Sequence, residues 1–293
     1  MGKFERGITN KAFLDALNDL KKDPASFWSR MVADKDLFIA IRKESINVYF
    51  QGNSLAKITF DKNKLRCTTH YKFVINPEFK NTYFESEDDI FQIPKLKGLI
   101  VPSIKKLDLI KRAINVYSGE EKSGVHTISI IATNVLDVEI AIEKDNVVDE
   151  NGRKSTDRID FLRVEEQNDH LKLVFYEAKH YSNKEIRAAG IADPPVIKQL
   201  AKYNKSLLKH AADIESSYRM VCENLQYLDI IGSRNLISRV ARGESITIDF
   251  DPRLVIFGYD HDQRSGKIWK THIGKIKSKI GKKLITKGNP KSF

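Results

Sequence analysis

The sequence predicts an α/β protein, on three observations. Strand-like runs follow one another closely at residues 134–142, 158–164 and 171–179. These runs are apolar on both faces, the pattern of a sheet covered by helices on each side. Amphipathic helical runs stand before and after them, so the covering layers are present in the chain.

The elements read in order as follows. At 293 residues the chain suits a core of about 150–200 residues with a flanking module. Its 41% hydrophobic and 30% charged residues supply enough apolar surface for a core and exclude general disorder. Residues 9–32 read as helical, with Phe13, Leu14, Leu17, Leu20, Phe27 and Met31 along one stripe. Residues 36–76 turn aromatic and β-branched, punctuated by Gly52-Asn53 and Asp61-Lys62, which predicts two or three antiparallel strands. Residues 1–95 are thus expected to form an N-terminal α+β module.

Residues 103–117 place Ile104, Leu107, Ile110, Ala113, Ile114 and Tyr117 on one helical face. The stretch SGEEKSG that follows is turn-like, and HTISIIATN leaves strand and helix both open, because a short apolar run does not resolve the period. Polar, turn-rich links between the three strands make an antiparallel meander the simplest topology. Asp193-Pro194-Pro195 opens a helix through VIKQLAKYNKSLLKHA, with Asp193 as the cap and Pro194 in the first turn. A second helix is expected over about 215–242, ending near Gly243, and PRLVIFGYD at 252–260 reads as one more strand. The core is then residues 96–262, followed by a basic C-terminal segment at 263–293.

Charge and cysteine usage narrow the function classes. No stretch approaches the roughly 20 apolar residues of a membrane span, and MGKFERGITNKAF lacks the apolar centre of a signal peptide; the expectation is a cytoplasmic protein with no membrane partner. Cys67 and Cys222 stand far apart and are read as thiols, which excludes a disulfide framework. The formal charge is +11, and residues 263–293 hold ten Lys or Arg and no Asp or Glu, so the rest of the chain is close to neutral. Such a block suits a polyphosphate partner, with Lys267, Lys270, Lys275 and Lys277 on phosphates and Trp269 stacking on a base. The bland alternative is a solvated basic tail.

The chemistry-bearing residues lie in the middle strands. A strand alternates its faces, so Glu177 and Lys179 in LKLVFYEAK project to one side and Ala178 to the other. Asp160 is the single carboxylate of the apolar strand RIDFLRV, and burying it is costly unless it is paired or binds a metal. Two acids and a lysine on adjacent strand ends make a site for Mg²⁺ or Mn²⁺, whose hard oxygen ligands the acids supply while the lysine stands beside a scissile phosphate.

This arrangement resembles the PD-(D/E)xK nuclease superfamily, whose core pairs an Asp on one strand with a (D/E)xK tripeptide on the next; Ile159-Asp160 and Glu177-Ala178-Lys179 match it here. The resemblance extends to the QxxxY motif of the RecB-like branch, as Gln199 and Tyr203 on the following helix, i and i+4 on one face. It covers roughly residues 118–212 and implies a restriction-endonuclease-like core with a central mixed sheet flanked by helices. Asp160 and Glu177 would hold the metal, and Gln199 and Tyr203 the substrate phosphate or the attacking water. For the further upstream acid of the family, which would complete the metal shell with Asp160 and Glu177, Glu139 is preferred, because an acid inside an apolar strand needs a reason; Glu120 and Glu121 before a possible helix compete with it. His126 fits the branch's upstream histidine poorly in its spacing and is set aside. Ile159 replaces the family's proline, and the cysteines that hold an iron-sulfur cluster in some members are absent.

The implied function is metal-dependent hydrolysis of DNA, by analogy in bacterial defence against foreign DNA. An RNA-directed nuclease and a catalytically silent nucleic-acid-binding or scaffold protein are the alternatives. Two-strand cleavage points to a homodimer, and a defence role to a partner protein.

Overall fold

The structure is a computed structural model, and it describes residues 3–76, 85–87, 90–92, 100–101, 103–148 and 154–293. The boundary expected near residue 95 lies outside the described residues.

The N-terminal helical run breaks in two. Helix α1 (Lys11–Lys21) starts at Asn10, whose side chain accepts from the Phe13 amide. The chain turns at Asp23-Pro24, and α2 (Phe27–Ala33) begins at Ser26, whose hydroxyl accepts from the Ser29 amide. Four strands follow in an antiparallel sheet, in the order β1 (Phe38–Arg42), β2 (Ser45–Phe50), β3 (Asn53–Asp61) and β4 (Lys64–Thr68). Positive φ at Gln51 and Gly52, and again at Lys62 and Asn63, turns the chain in two residues, which fits one more strand than the sequence suggests. A short helix α3 (Tyr71–Val74), a small hairpin of β5 (Glu85–Glu87) and β6 (Ile90–Gln92), and α4 (Leu107–Asn115) lead into the core.

The core begins with α5 (Glu120–Ile131), where the sequence reads a turn and then an undecided run. Glu120 and Glu121 sit in its first turn, where the helix dipole favours acids. The glycine that suggests a turn has another purpose. A Cβ at Gly124 would lie 2.1 Å from a ring carbon of Phe257, so only glycine lets this helix lie so close to the sheet.

The expected meander follows, as β7 (Val135–Val148), β8 (Lys154–Gln167) and β9 (His170–His180). The strands reach further into the 143–157 link than expected; residues 149–153 within it lie outside the described residues. Next come α6 (Pro195–Lys209), α7 (Ala211–Tyr227) and α8 (Asn235–Ala241). Pro194, not Asp193, is the capping residue of α6, and Asp193 pairs instead with Lys279 at 3.2 Å. The single helix expected over 215–242 is interrupted between α7 and α8, where Asp229 and Gly232 take left-handed backbone conformations. Strand β10 (Ile246–Phe257) then runs parallel to β9.

The basic segment is not a tail. It folds as α9 (His261–Ser265), a π-helical turn at Trp269–Ile273, α10 (Gly274–Ile280) and strand β11 (Leu284–Lys287), which pairs in parallel with Leu254–Phe257 of β10. Isoleucines spaced among its lysines supply the reason, since Ile273 and Ile276 are buried in the core. The central sheet is therefore mixed and five-stranded, in the order β11-β10-β9-β8-β7.

Both faces of this sheet are covered, as strands apolar on both sides require. Leu171, Leu173 and Phe175 pack with Val196 and Leu200 of α6 and Tyr218 and Val221 of α7. Val174, Tyr176 and Ala178 pack with Val125 and Ile128 of α5 on the other side. The N-terminal elements share these layers, with Phe13, Leu17 and Trp28 continuous with the first and Phe38, Ala40 and Tyr49 with the second.

One buried ionic cluster joins the N-terminal elements to the core. Asp137 on β7, 1% exposed, accepts from Tyr218 at 2.8 Å and pairs with Arg6 at 3.5 Å and with Arg42. Arg42 also donates to the carbonyl of Val138 at 2.6 Å, and Arg6 to that of Ala141 at 3.4 Å. Such a cluster strongly disfavours loss of one partner, because the others stay buried and charged.

Asp137→Asn is expected to cost about 3–5 kcal/mol in denaturant unfolding; a change below 1 kcal/mol would show that the cluster does not join the two parts. Gly124→Ala is expected to cost about 1–3 kcal/mol by overpacking, against the roughly 1 kcal/mol that alanine gains in an open helix. Phe257→Leu should recover part of that loss, and additivity of the two changes would refute the close approach.

Candidate active site

The ladder between β8 and β9 runs from Gln167 opposite His170 to Phe161 opposite Tyr176, and stops there. The next residue on β8 is Asp160. Its Oδ2 accepts from the amide of Ala178 at 2.7 Å, so a side-chain carboxylate takes the place of a ladder carbonyl and the two strands part at this point.

Glu177 and Lys179 stand on the α6 side of β9, with Ala178 in the α5 layer, as strand alternation dictates. They are 2% and 7% exposed. Oε1 of Glu177 lies 2.8 Å from Lys179 Nζ and accepts from Gln199 Nε2, also at 2.8 Å. Oε2 lies 3.1 Å from the Tyr203 hydroxyl. That hydroxyl is 2.6 Å from the carbonyl of Arg158, to which it donates, and accepts from Gln199 Nε2 at 2.6 Å. Gln199 and Tyr203 therefore meet Glu177 from one face of α6. Lys179 bridges Glu177 and Glu185, the latter on a 3-10 turn at Lys184–Ile186.

Burial, and then the charge of Glu177, pushes the Asp160 carboxyl well above the usual carboxylate range, against the opposing Ala178 amide and Lys179 charge. Burial raises Glu177 too, although Lys179 and Tyr203 pull it back. For Lys179, burial acts downward, but Glu177 and Glu185 outweigh it and hold the ammonium above its ordinary range. Burial and the Glu177 charge keep the Tyr203 phenol protonated.

Glu139 lies across β7–β8 from Asp160, between the pairs Val138–Phe161 and Ile140–Ile159. Its φ of 51° is left-handed, and the face alternation breaks there: Val138 packs in the α5 layer and Ile140 in the opposite one. Its side chain pairs with Arg158 at 3.3 Å, and its charge adds to the upward push on Asp160. Glu121 is otherwise engaged. It accepts from the His180 amide at 3.0 Å and from Asn183 at 2.7 Å, holding the end of β9, while Glu120 is exposed near His180. His126 is buried and its ring contacts the Asp36 carbonyl at 2.8 Å, a packing role.

The donors present suit a hard cation. Asp160 and Glu177 are oxygen donors that repel each other when ionised, and the side-chain oxygen of Gln199 is buried with no hydrogen-bond partner. Among the described residues no group of three or more His, Cys, Asp or Glu converges on one point; the carboxylates present here are Asp160 and Glu177, with Glu139 across the strand pair from Asp160.

The basic segment is used differently from its sequence reading. Trp269 packs between Tyr259 and Tyr181, with ring centroids 4.6 and 6.1 Å away, which commits its ring to the fold. Lys275 donates to the Gly190 carbonyl at 3.0 Å, whereas Lys267, Lys270 and Lys277 are exposed. Sequence reasoning missed Glu185, which carries no motif, and Arg158, Lys198 and Lys202, whose nearness to Asp160, Gln199 and Tyr203 was a usable signal.

No protein-family model, no curated protein and no solved structure matches this chain.

The raised Asp160 carboxyl has a signed consequence for the cation-free protein. Unfolded, the group ionises near its ordinary 3.8; folded, it holds its proton to higher pH, so stability is lost as pH climbs from that value through the folded one. Asp160→Asn should therefore melt higher than the parent in chelator, by more at pH 8 than at pH 5. Equal melting temperatures at pH 8 would contradict the raised Asp160 carboxyl.

Proposed function

We propose that the protein is a Mg²⁺- or Mn²⁺-dependent nuclease of the PD-(D/E)xK kind that hydrolyses phosphodiester bonds of DNA. The observation that carries this reading is that Gln199 and Tyr203 both reach Glu177. The strand motif and the helix motif of the RecB-like pattern, 22 residues apart at Glu177 and Gln199, thus share one carboxylate. The strand of Asp160, the ExK strand, the QxxxY helix and a further strand parallel to β9 also suit a restriction-endonuclease-like core.

Each side chain has a distinct task in that reading. Asp160 and Glu177 would hold the cation, and the Gln199 amide, whose Nε2 meets Glu177, keeps a buried side-chain oxygen without a hydrogen-bond partner. Bound there, a divalent cation supplies Lewis acidity toward a phosphoryl oxygen and a water that ionises near neutral pH. Lys179 orients the attacking water and offsets the negative charge that grows on the phosphate. Glu185 keeps Lys179 from settling on Glu177 alone. Tyr203, donating to the Arg158 carbonyl, packs its hydroxyl 3.1 Å from Glu177 and limits where that carboxylate can move, and Asp160 would have to give up its raised proton to hold a cation. Cleaving both strands of a duplex calls for two such sites, which a homodimer supplies; a defence role is consistent with this chemistry by analogy.

One observation favours a second reading, a nucleic-acid-binding protein without turnover. Lys179 already lies between Glu177 and Glu185, so part of the site's charge is balanced without a cation.

The test is cleavage of linear, circular and single-stranded DNA and of RNA with Mg²⁺, with Mn²⁺ and with chelator. Metal-dependent cutting should fall by at least about 100-fold in Lys179→Ala, the scale of losing one transition-state charge partner, with binding retained. Cutting that survives in chelator or in the variant would overturn this site, and binding without cutting would favour the second reading.

A further inference from the structure

The nuclease reading leaves open where the substrate strand lies, and the exposed lysines of the C-terminal segment are the sequence's answer. The structure offers a different one. Beside the site is a cleft of about 640 Å³, lined by Arg158, Arg187, Lys198 and Lys202 together with Gln199 and Tyr203. Its volume is that of a small-ligand site, room for a few nucleotide units of one strand and too little for a duplex cross-section.

Charge in this cleft is uneven in a way that favours an anion. Three acids line it, and each is engaged: Glu185 by Lys179, Asp193 by Lys279 at 3.2 Å, and Asp157 by the Ser206 hydroxyl at 3.0 Å. Lys198 and Lys202 are exposed and, among the described residues, unpaired; at i and i+4 they form one row along α6, next to Gln199 and Tyr203. Arg187, half-buried, lines the cleft and donates to the Tyr181 carbonyl at 3.4 Å with one terminal nitrogen of its guanidinium. Arg158 is 63% exposed at its side chain and is held near Asp160 by Glu139.

The far wall of the cleft is held from outside by the basic segment. The Ala188 amide donates to His272, Lys275 donates to Gly190, and Lys279 pairs with Asp193. These contacts give part of the segment a supporting task.

We propose that this cleft is the binding groove for a single nucleic-acid strand, its phosphates seated on Lys198, Lys202 and Arg187 and running past Gln199 toward Asp160 and Glu177. The proposal rests on the nuclease reading for the polymer and on the cleft for the path. A duplex would have to open, or present an end, for one strand to enter.

The test is fluorescence anisotropy with a labelled single-stranded DNA oligonucleotide in chelator, across a salt series, alongside the matched duplex. Lys198→Ala/Lys202→Ala, both exposed, should weaken single-strand binding at least tenfold and lower the salt slope by about 1.4, at about 0.7 per lost phosphate contact. The comparison variant Lys267→Ala/Lys270→Ala/Lys277→Ala should change affinity less. The groove is refuted if the α6 variant binds like the parent with an unchanged slope, if the parent binds no strand, or if duplex is preferred and equally affected. Cleavage is read separately: a parent that binds through this groove but never cuts sinks the nuclease reading alone, and one that cuts with the α6 variant unimpaired sinks the groove alone.

Discussion

The hydrogen bond from the Ala178 amide to the Asp160 carboxylate is the constraint around which the centre of this protein is arranged. A β-ladder normally uses every inward amide and carbonyl, and it leaves no room between strands for chemistry. Here an acid substitutes for a carbonyl, the ladder ends at Phe161 and Tyr176, and a notch opens at the strand ends. The Arg158 carbonyl, beyond the last rung, is taken up by the Tyr203 hydroxyl. That single exchange places α6 over the notch and brings Gln199 to Glu177. Holding Asp160 ionised in this notch costs stability, which is what its raised carboxyl expresses.

The packing around the notch is shared by three stretches of sequence far apart in the chain. The meander supplies the acids and the lysine, α6 the amide and phenol, and the C-terminal segment the sheet's fifth strand and the brace against residues 188–193. Leu17 and Trp28 of the N-terminal elements lie in the same apolar layer as Phe175 and Leu200. A basic stretch read as a tail becomes structural because Ile273 and Ile276 recur at a helical spacing among its lysines.

Much of the centre was legible in the sequence for a simple reason. Strand alternation alone puts Glu177 and Lys179 on one side, and the i, i+4 relation alone puts Gln199 and Tyr203 on one helix face; the structure brings all four together with Asp160 nearby. Double-sided cover follows from the strands being apolar on both faces, and the meander from the polar, turn-rich links, whereas the mixed sheet was implied only by the family resemblance. What could not be read depended on partners distant in sequence. Gly124 looked like a turn because its reason, the ring of Phe257, lies 133 positions further on. Glu185 carries no pattern, Asp193 lost its capping role to a lysine of α10, and Trp269 found two tyrosines before any base. The left-handed conformation of Glu139 likewise has no sequence signature, as glutamate seldom adopts it.

The arginines that bind Asp137 have a consequence for how the molecule meets its neighbours. Strand β7 is an outer strand of the central sheet, and outer strands with open carbonyls template the addition of further strands from other chains. Arg42 occupies the carbonyl of Val138 and Arg6 that of Ala141, while the kink at Glu139 interrupts the run between them. A second chain cannot zip along this margin without first expelling two guanidinium groups from a buried carboxylate. The opposite margin, β11, is only four residues long and ends in Lys287, a length and a charge that discourage the same growth. Strand addition is thereby discouraged along Val138–Ala141 of one border and along the short β11 of the other.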